Sequence, residues 1–140
     1  MLYVTRRASF AASHRLHNPA WDETRNAEVF GKCNNPNGHG HNYDLEVTVA
    51  GDPPPETGMV VDLKLLAEIV DREVIERVDH KHLNLDVDFL RGVIPTAENM
   101  AVAFWKILQP AIRQGRLFSV RLYESANNVV EYRGEGIHGR

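Results

Sequence analysis

Cysteine, net charge and long apolar runs are all scarce in this sequence, and each shortage excludes something. Cys33 is the only cysteine in 140 residues, so no intrachain disulfide can form and a reducing, cytoplasmic setting is expected. Ala101 to Trp105 is an apolar run of only five residues, against about 20 for a membrane-spanning helix. The segment Met1 to Arg7 has no apolar core of a secretory signal. The formal net charge of −3 argues against general nucleic-acid binding, although a local basic pocket for a phosphorylated small molecule is compatible with it. There is no internal repeat or low-complexity tract. With 43% hydrophobic and 25% charged residues, the expectation is one globular domain over 1–140, free of nucleic-acid and membrane partners.

The richest stretch is Cys33 to Tyr43, C-N-N-P-N-G-H-G-H-N-Y. Alternate side chains of a strand share a face, so His39 and His41 lie together and can hold one metal ion. The turn residues Asn34 to Gly38 are able to fold Cys33 back towards it. Leu2 to His14 reads as a first strand whose apolar row (Leu2, Val4, Ala8, Phe10, Ala12) ends in His14. His14 is the natural third ligand, and His17 competes with it.

Residues 17–38 form a long connection with room for a short helical turn between Ala20 and Phe30; connections of that length tend to be functional. A second strand covers 41–50, with Tyr43, Leu45, Val47 and Val49 inward. A proline-rich loop follows. Asp62 is expected to cap a helix over 63–78, with Leu63, Leu66, Ile69, Val70, Val74 and Val78 as its stripe. A second helix is expected from the Thr96 cap to about Gln114, kinked or shortened by Pro110. Two more strands are expected at 117–124 and 129–133, with Phe118, Val120, Leu122 and Glu124 on one face. A carboxylate ending such a row needs donors to bind it.

Four motifs in this order resemble the 6-pyruvoyltetrahydropterin synthase family, which includes the 6-carboxytetrahydropterin synthases. They are the central C-N-N-P-N-G-H-G-H-N-Y, Val78-Asp79-His80-Lys81-His82-Leu83-Asn84, Pro95-Thr96-Ala97-Glu98-Asn99 and Tyr123-Glu124-Ser125-Ala126-Asn127-Asn128. The resemblance implies an α+β T-fold: a four-stranded antiparallel sheet with two helices on one face, the sheets of three subunits joining into a barrel and two trimers into a hexamer. It implies bound zinc, with His14, His39 and His41 as ligands, and 7,8-dihydroneopterin triphosphate as substrate. It implies Cys33, Asp79 and His80 as a catalytic triad and Glu124 as the pterin anchor. It also implies that Thr96 and Glu98 line the pocket, from a neighbouring subunit.

These roles make chemical sense. A three-histidine zinc keeps an open position and acidifies C–H bonds beside the oxygens it polarises. A thiolate can then abstract the proton, provided a cation such as His80, or more weakly Lys32, favours its ionised form. Taken singly, Cys33 is an inert loop thiol, Asp79 a helix terminator, Thr96 a cap and Glu98 a helix-dipole partner; the joint pattern carries the functional reading. Arg15, Lys32, Lys81 and Arg91 are open candidates for the triphosphate. The proline loop and the tail Ile137 to Arg140 have no assigned role.

The nearest rival is the carboxy branch, which acts on the same substrate in queuosine biosynthesis and releases acetaldehyde. The five residues between Cys33 and His39 favour the pyruvoyl branch and tetrahydrobiopterin-type biosynthesis. A cupin-like metal site would need Glu46 beside His39 and His41, yet its strand parity is opposite. A non-catalytic pterin-binding scaffold predicts that Cys33 is dispensable.

Overall fold

The computed structural model describes residues 1–135, so the tail Ile137 to Arg140 lies outside the described residues. Strands β1 (Leu2–His14), β2 (His39–Gly51), β3 (Lys81–His82), β4 (Arg116–Ser125) and β5 (Asn128–Tyr132) form one sheet in the order β3-β1-β2-β4-β5. The four long strands pair antiparallel, as expected. The four-strand expectation is one short: β3 adds parallel to β1 at Ala12 and Ser13. Two residues are too few to show alternation, so nothing in the sequence marks them as a strand.

Helix α1 (Glu23–Phe30) lies in the long connection, capped by Asp22, whose carboxylate accepts the Arg25 N–H at 2.8 Å. The buried Asn26 amide ties that connection together by bonding the carbonyls of Asn18 and Asp22. Helix α2 covers Leu63–Val70, continues through a π-turn at Asp71–Ile75 and ends with Glu76–Val78. Asp62 caps it through the Lys64 N–H at 2.9 Å. Leu63, expected in its stripe, is exposed, as is Leu2 of β1. Each stands at the start of its element, beyond the reach of the core. Helix α3 (Ala97–Ala111) starts at the Thr96 cap and stops one residue past Pro110, short of Gln114. Pro110 cannot donate the N–H that would continue the ladder.

One face of the sheet and the two long helices enclose the core. Tyr43, Leu45 and Val47 meet Leu66, Val74 and Val78 of α2 and Met100, Phe104 and Leu108 of α3, all fully buried. The opposite face is polar, with Arg7 bridging Asp44 and Glu46 and Thr5 bonded to Thr48.

Two bulges in β4 alter the expected alternation. Thr48 pairs with Ser119 but Val49 with Leu117, leaving Phe118 as an extra residue. Phe118 therefore turns outward to pack on Tyr3, ring centroids 4.6 Å apart, and Leu117 takes the core position. Tyr123 pairs with Val129 and Ser125 with Asn128, leaving Glu124 unpaired opposite β5. Bulges re-aim a side chain where a regular ladder would fix it.

Phe104 has its ring against both Phe10 and Phe89, with centroids 6.1 Å from each. Phe104→Ala should destabilise the protein by about 3–5 kcal/mol through lost burial and a residual cavity. A lowered urea midpoint with an unchanged slope would report it; a shift below about 1 kcal/mol would show that the core relaxes around the hole.

Candidate active site

Antiparallel pairing of β1 with β2 sets His14 directly across from His39, and the two-residue repeat adds His41 on the same face. One ligand atom from each of His14, His39 and His41 lies within 4.8 Å of the others. The Nε2 atoms of His14 and His39 are 3.1 Å apart, close to the ~3.3 Å expected of two nitrogens on one tetrahedral zinc. His14 is fully buried, and its Nδ1–H donates to the Pro95 carbonyl at 2.7 Å. That bond leaves Nε2 as the lone-pair nitrogen, the usual way a ligand imidazole is oriented. His41 Nε2 is buried without a hydrogen-bond partner. A buried orphan nitrogen facing two further imidazoles is what a bound cation would satisfy. The three-histidine cluster can hold a metal ion.

Electrostatics agree. Burial lowers the His14 pKa to about 4, helped by His39 and His41 and opposed by the Pro95 bond. Burial, and next His41, lower that of His39. Both shifts favour the neutral ring, the form that binds metal.

The Glu124 bulge places its carboxylate oxygens 4.0 Å from His14 Nε2 and 3.9 Å from His41 Nε2. Glu124 also lines a cleft of about 510 Å³ together with Leu16, Thr96, Glu98 and Asn127. Thr96 and Glu98 thus join Glu124 within one chain, where the resemblance assigns them to a neighbour. Thr96 also serves as a cap, its Oγ1 accepting the Asn99 N–H at 3.2 Å. The same residue thus caps the helix and lines the cleft.

Cys33 sits half-buried in a 3-10 turn (Gly31–Asn34), its carbonyl accepting the Leu16 N–H at 2.9 Å. The following turn closes through the Gly38 N–H to the Asn35 carbonyl at 2.9 Å. Gly38 has φ +77, and a Cβ there would sit 3.1 Å from both the His14 carbonyl oxygen and His82 Nε2. Only glycine suits both the conformation and the space.

Asp79 and His80 form a pair of their own, His80 Nδ1 to Asp79 Oδ2 at 3.0 Å. Asp79 also accepts the Ala11 N–H at 2.9 Å, and this bond, then His80, holds its carboxyl below the usual carboxylate range. His80 has φ +60, a conformation a non-glycine residue adopts at a cost. Its N–H donates to the Ala11 carbonyl at 2.6 Å. The His80 side chain is 82% exposed, in a shallow cleft with Gly40, His41 and Lys81. Among the described residues no hydrogen bond or ion pair joins it to Cys33, so one chain does not bring the expected triad together. Glu46 lies on the polar face against Arg7 and Tyr123, away from the histidines, which removes the cupin-like arrangement.

A family model described as 6-pyruvoyl tetrahydropterin synthase matches residues 3–135. The chain belongs to the 6-pyruvoyl tetrahydropterin synthase family. It is 47% identical over 132 residues to the 6-pyruvoyl tetrahydrobiopterin synthase of Homo sapiens, covering 94% of this chain and 91% of that one. The solved Caenorhabditis elegans 6-pyruvoyl tetrahydropterin synthase superposes with a TM-score of 0.91 at 38% identity, over 96% of both chains. Similarity to a 6-carboxy-5,6,7,8-tetrahydropterin synthase of Rickettsia bellii is lower, 30% over 150 residues, covering 94% of this chain and 99% of that one. Among the described residues no helix is long and apolar enough to cross a membrane.

The His14 environment predicts the acid response of the metal-free protein. Its folded pKa of about 4 lies below the unfolded value of 6.5. Between those values the unfolded chain holds more protons, so stability is full above pH 6.5 and falls as pH drops towards 4. The loss is on the order of 3 kcal/mol. Denaturant titrations at pH 7 and 4.5 should show it, and His14→Asn should flatten the dependence. An equally steep dependence in that variant would assign the acid sensitivity elsewhere.

Proposed function

We propose that this chain is a cytoplasmic, zinc-dependent lyase that converts 7,8-dihydroneopterin triphosphate to 6-pyruvoyltetrahydropterin, eliminating triphosphate, in tetrahydrobiopterin-type biosynthesis. The observation that carries the reading is the three-histidine cluster with Glu124 beside it at the mouth of a cleft. The 47% identity to a relative named for the pyruvoyl product favours that product over the carboxy one. So does the five-residue spacer between Cys33 and His39.

His14, His39 and His41 would hold the zinc, which supplies Lewis-acid polarisation of the substrate's side-chain oxygens. Glu124 accepts the paired N–H donors of the pterin's guanidine-like edge, with Thr96 and Glu98 along the cleft wall. Cys33, as thiolate, removes a proton from a side-chain carbon, and protons return elsewhere on the same molecule, so no external redox cofactor enters. Asp79 orients His80, whose positive charge favours the thiolate. His80 is exposed and makes no bond to Cys33 within one chain, so the pairing is read as crossing a subunit boundary. The sheet supports assembly: among the described residues β1 is paired on its outer side only at Ala12 and Ser13, and β5 ends the sheet on the other edge. Open edges of this kind call for a partner. The expected assembly is a homohexamer of two trimers.

Elemental analysis should find about one zinc per chain, and light scattering should find the oligomer. Cys33→Ala should keep the zinc and the bound pterin while turnover falls by roughly two to four decades. His80→Ala should match it, and the double variant should cost little more than either, since paired groups act as a unit. Mixing Cys33→Ala with His80→Ala subunits should restore activity, because some boundaries then carry both intact residues. Near-normal turnover in Cys33→Ala would remove the base, and loss of zinc with it would make Cys33 a ligand. Mass analysis of the product decides the branch: a carboxyl side chain with acetaldehyde moves the chain to the queuosine route.

A further inference from the structure

The strand pattern of β1 outlasts its last ladder pair. Beyond His14, Arg15 and Leu16 still send successive N–H and C=O pairs to opposite sides, as a strand does, but half of their partners are side chains. Towards β3, the Asn84 amide closes a two-bond ring with the Arg15 backbone. Its Oδ1 accepts the Arg15 N–H and its Nδ2 donates to the Arg15 carbonyl, both at 2.8 Å. On the other side Leu16 faces the Cys33 turn. Its N–H donates to the Cys33 carbonyl and its own carbonyl accepts from Asn34 Nδ2, both at 2.9 Å. The Arg15 Nε–H adds a link to the Asn34 carbonyl at 2.9 Å, and Asn34 Nδ2 reaches His17 Nδ1 at 3.0 Å.

These bonds are the turn's ties to the rest of the chain. Among the described residues, every hydrogen bond from Gly31–Asn34 to a residue outside 27–38 ends on Arg15, Leu16 or His17. Asn84 in turn is anchored away from them. Leu83 beside it is fully buried and donates its N–H to the Ser13 carbonyl at 2.7 Å, and β3 pairs with Ala12 and Ser13. His14 has supports of its own, the Pro95 carbonyl and the pairing with His39. The path Asn84–Arg15–Leu16–Cys33 thus carries the thiol, while the imidazoles rest on other contacts.

We propose that Asn84 is a positioning residue: by pairing both backbone groups of Arg15 it sets where the Cys33 thiol stands relative to the three imidazoles. The inference rests on the role of Cys33 proposed above. The asparagine amide offers one acceptor and one donor side by side, as a neighbouring peptide group would. Aspartate has the same size, yet it turns the donor into a second acceptor facing the Arg15 carbonyl. Alanine leaves both backbone groups without their partner.

The test uses the intact oligomer loaded with zinc or cobalt(II). Cys33 is the only thiol in the chain, so bromotrifluoroacetone places a fluorine label there alone. Cobalt held by the histidines displaces the fluorine resonance according to the distance and direction of the label, with the zinc form as diamagnetic reference. Asn84→Ala and Asn84→Asp should both change that displacement, with zinc content and the cobalt absorption spectrum as in wild type. In the unlabelled zinc enzyme both should lower kcat roughly ten- to hundredfold with little change in KM. Asn34→Ala breaks a bond on the other side of Leu16 and should act alike. Combined with Asn84→Ala it should cost less than the product of the two losses, because both loosen one segment. In the metal-free protein, alkylation of Cys33 by iodoacetamide should quicken roughly fivefold or more as the turn opens.

Unchanged fluorine displacement and alkylation in both Asn84 variants would overturn the proposal. So would wild-type behaviour of Asn84→Asp beside a failing Asn84→Ala, which would make Asn84 a filler of space. An altered cobalt spectrum in Asn84→Asp would overturn it too, by assigning the residue to His14. Displacement and alkylation are read without turnover, so absence of product would remove the reaction reading and leave this inference standing. Normal turnover with a displaced thiol would uphold it and remove Cys33 as the base.

Discussion

The site depends on the register between β1 and β2. His14 faces His39 only because Leu2 is matched to Gly51 and every pair between follows in step. A slip of one residue would turn His39 and His41 to the polar face and expose Tyr43, Leu45, Val47 and Val49 with them. Core burial and ligand placement are therefore the same constraint. The hydrophobic pattern that stabilises the sheet is also what holds three imidazoles within reach of one ion.

The remaining machinery hangs from the ends of those two strands. The Pro95 carbonyl orients His14, and the next residue, Thr96, opens α3, so the helix cap and the ligand support belong to one short segment. Ala11 receives the Asp79–His80 turn through both its N–H and its carbonyl. The left-handed backbone at His80 is stabilised by those two bonds, and the side chain it presents lies outside the core.

Much of this was legible in the sequence. The alternation of β1 and β2, the Asp62 and Thr96 caps and the shared face of His39 and His41 all follow from local periodicity or local hydrogen bonding. What was not legible depends on a partner strand. The Phe118 and Glu124 bulges exist only as mismatches with β2 and β5, so counting parity along β4 alone sends Phe118 inward. The π-turn in α2 and the two-residue β3 leave no periodic trace. Thr96 and Glu98 were named from a resemblance, but their place beside Glu124 in the same chain needed the fold.

Gly38 gives the spacer between Cys33 and His39 a rigidity its composition does not suggest. Its backbone packs between the His14 carbonyl and the His82 ring, where a Cβ would come within 3.1 Å of each. The turn behind it is closed by its own hydrogen bond. The segment from thiol to imidazole thus behaves as a ruler anchored at its histidine end. Adding or removing residues there would move the sulfur while leaving the three nitrogens where they are. Spacer length becomes a coordinate along which a single scaffold can change how far the thiol stands from the imidazoles.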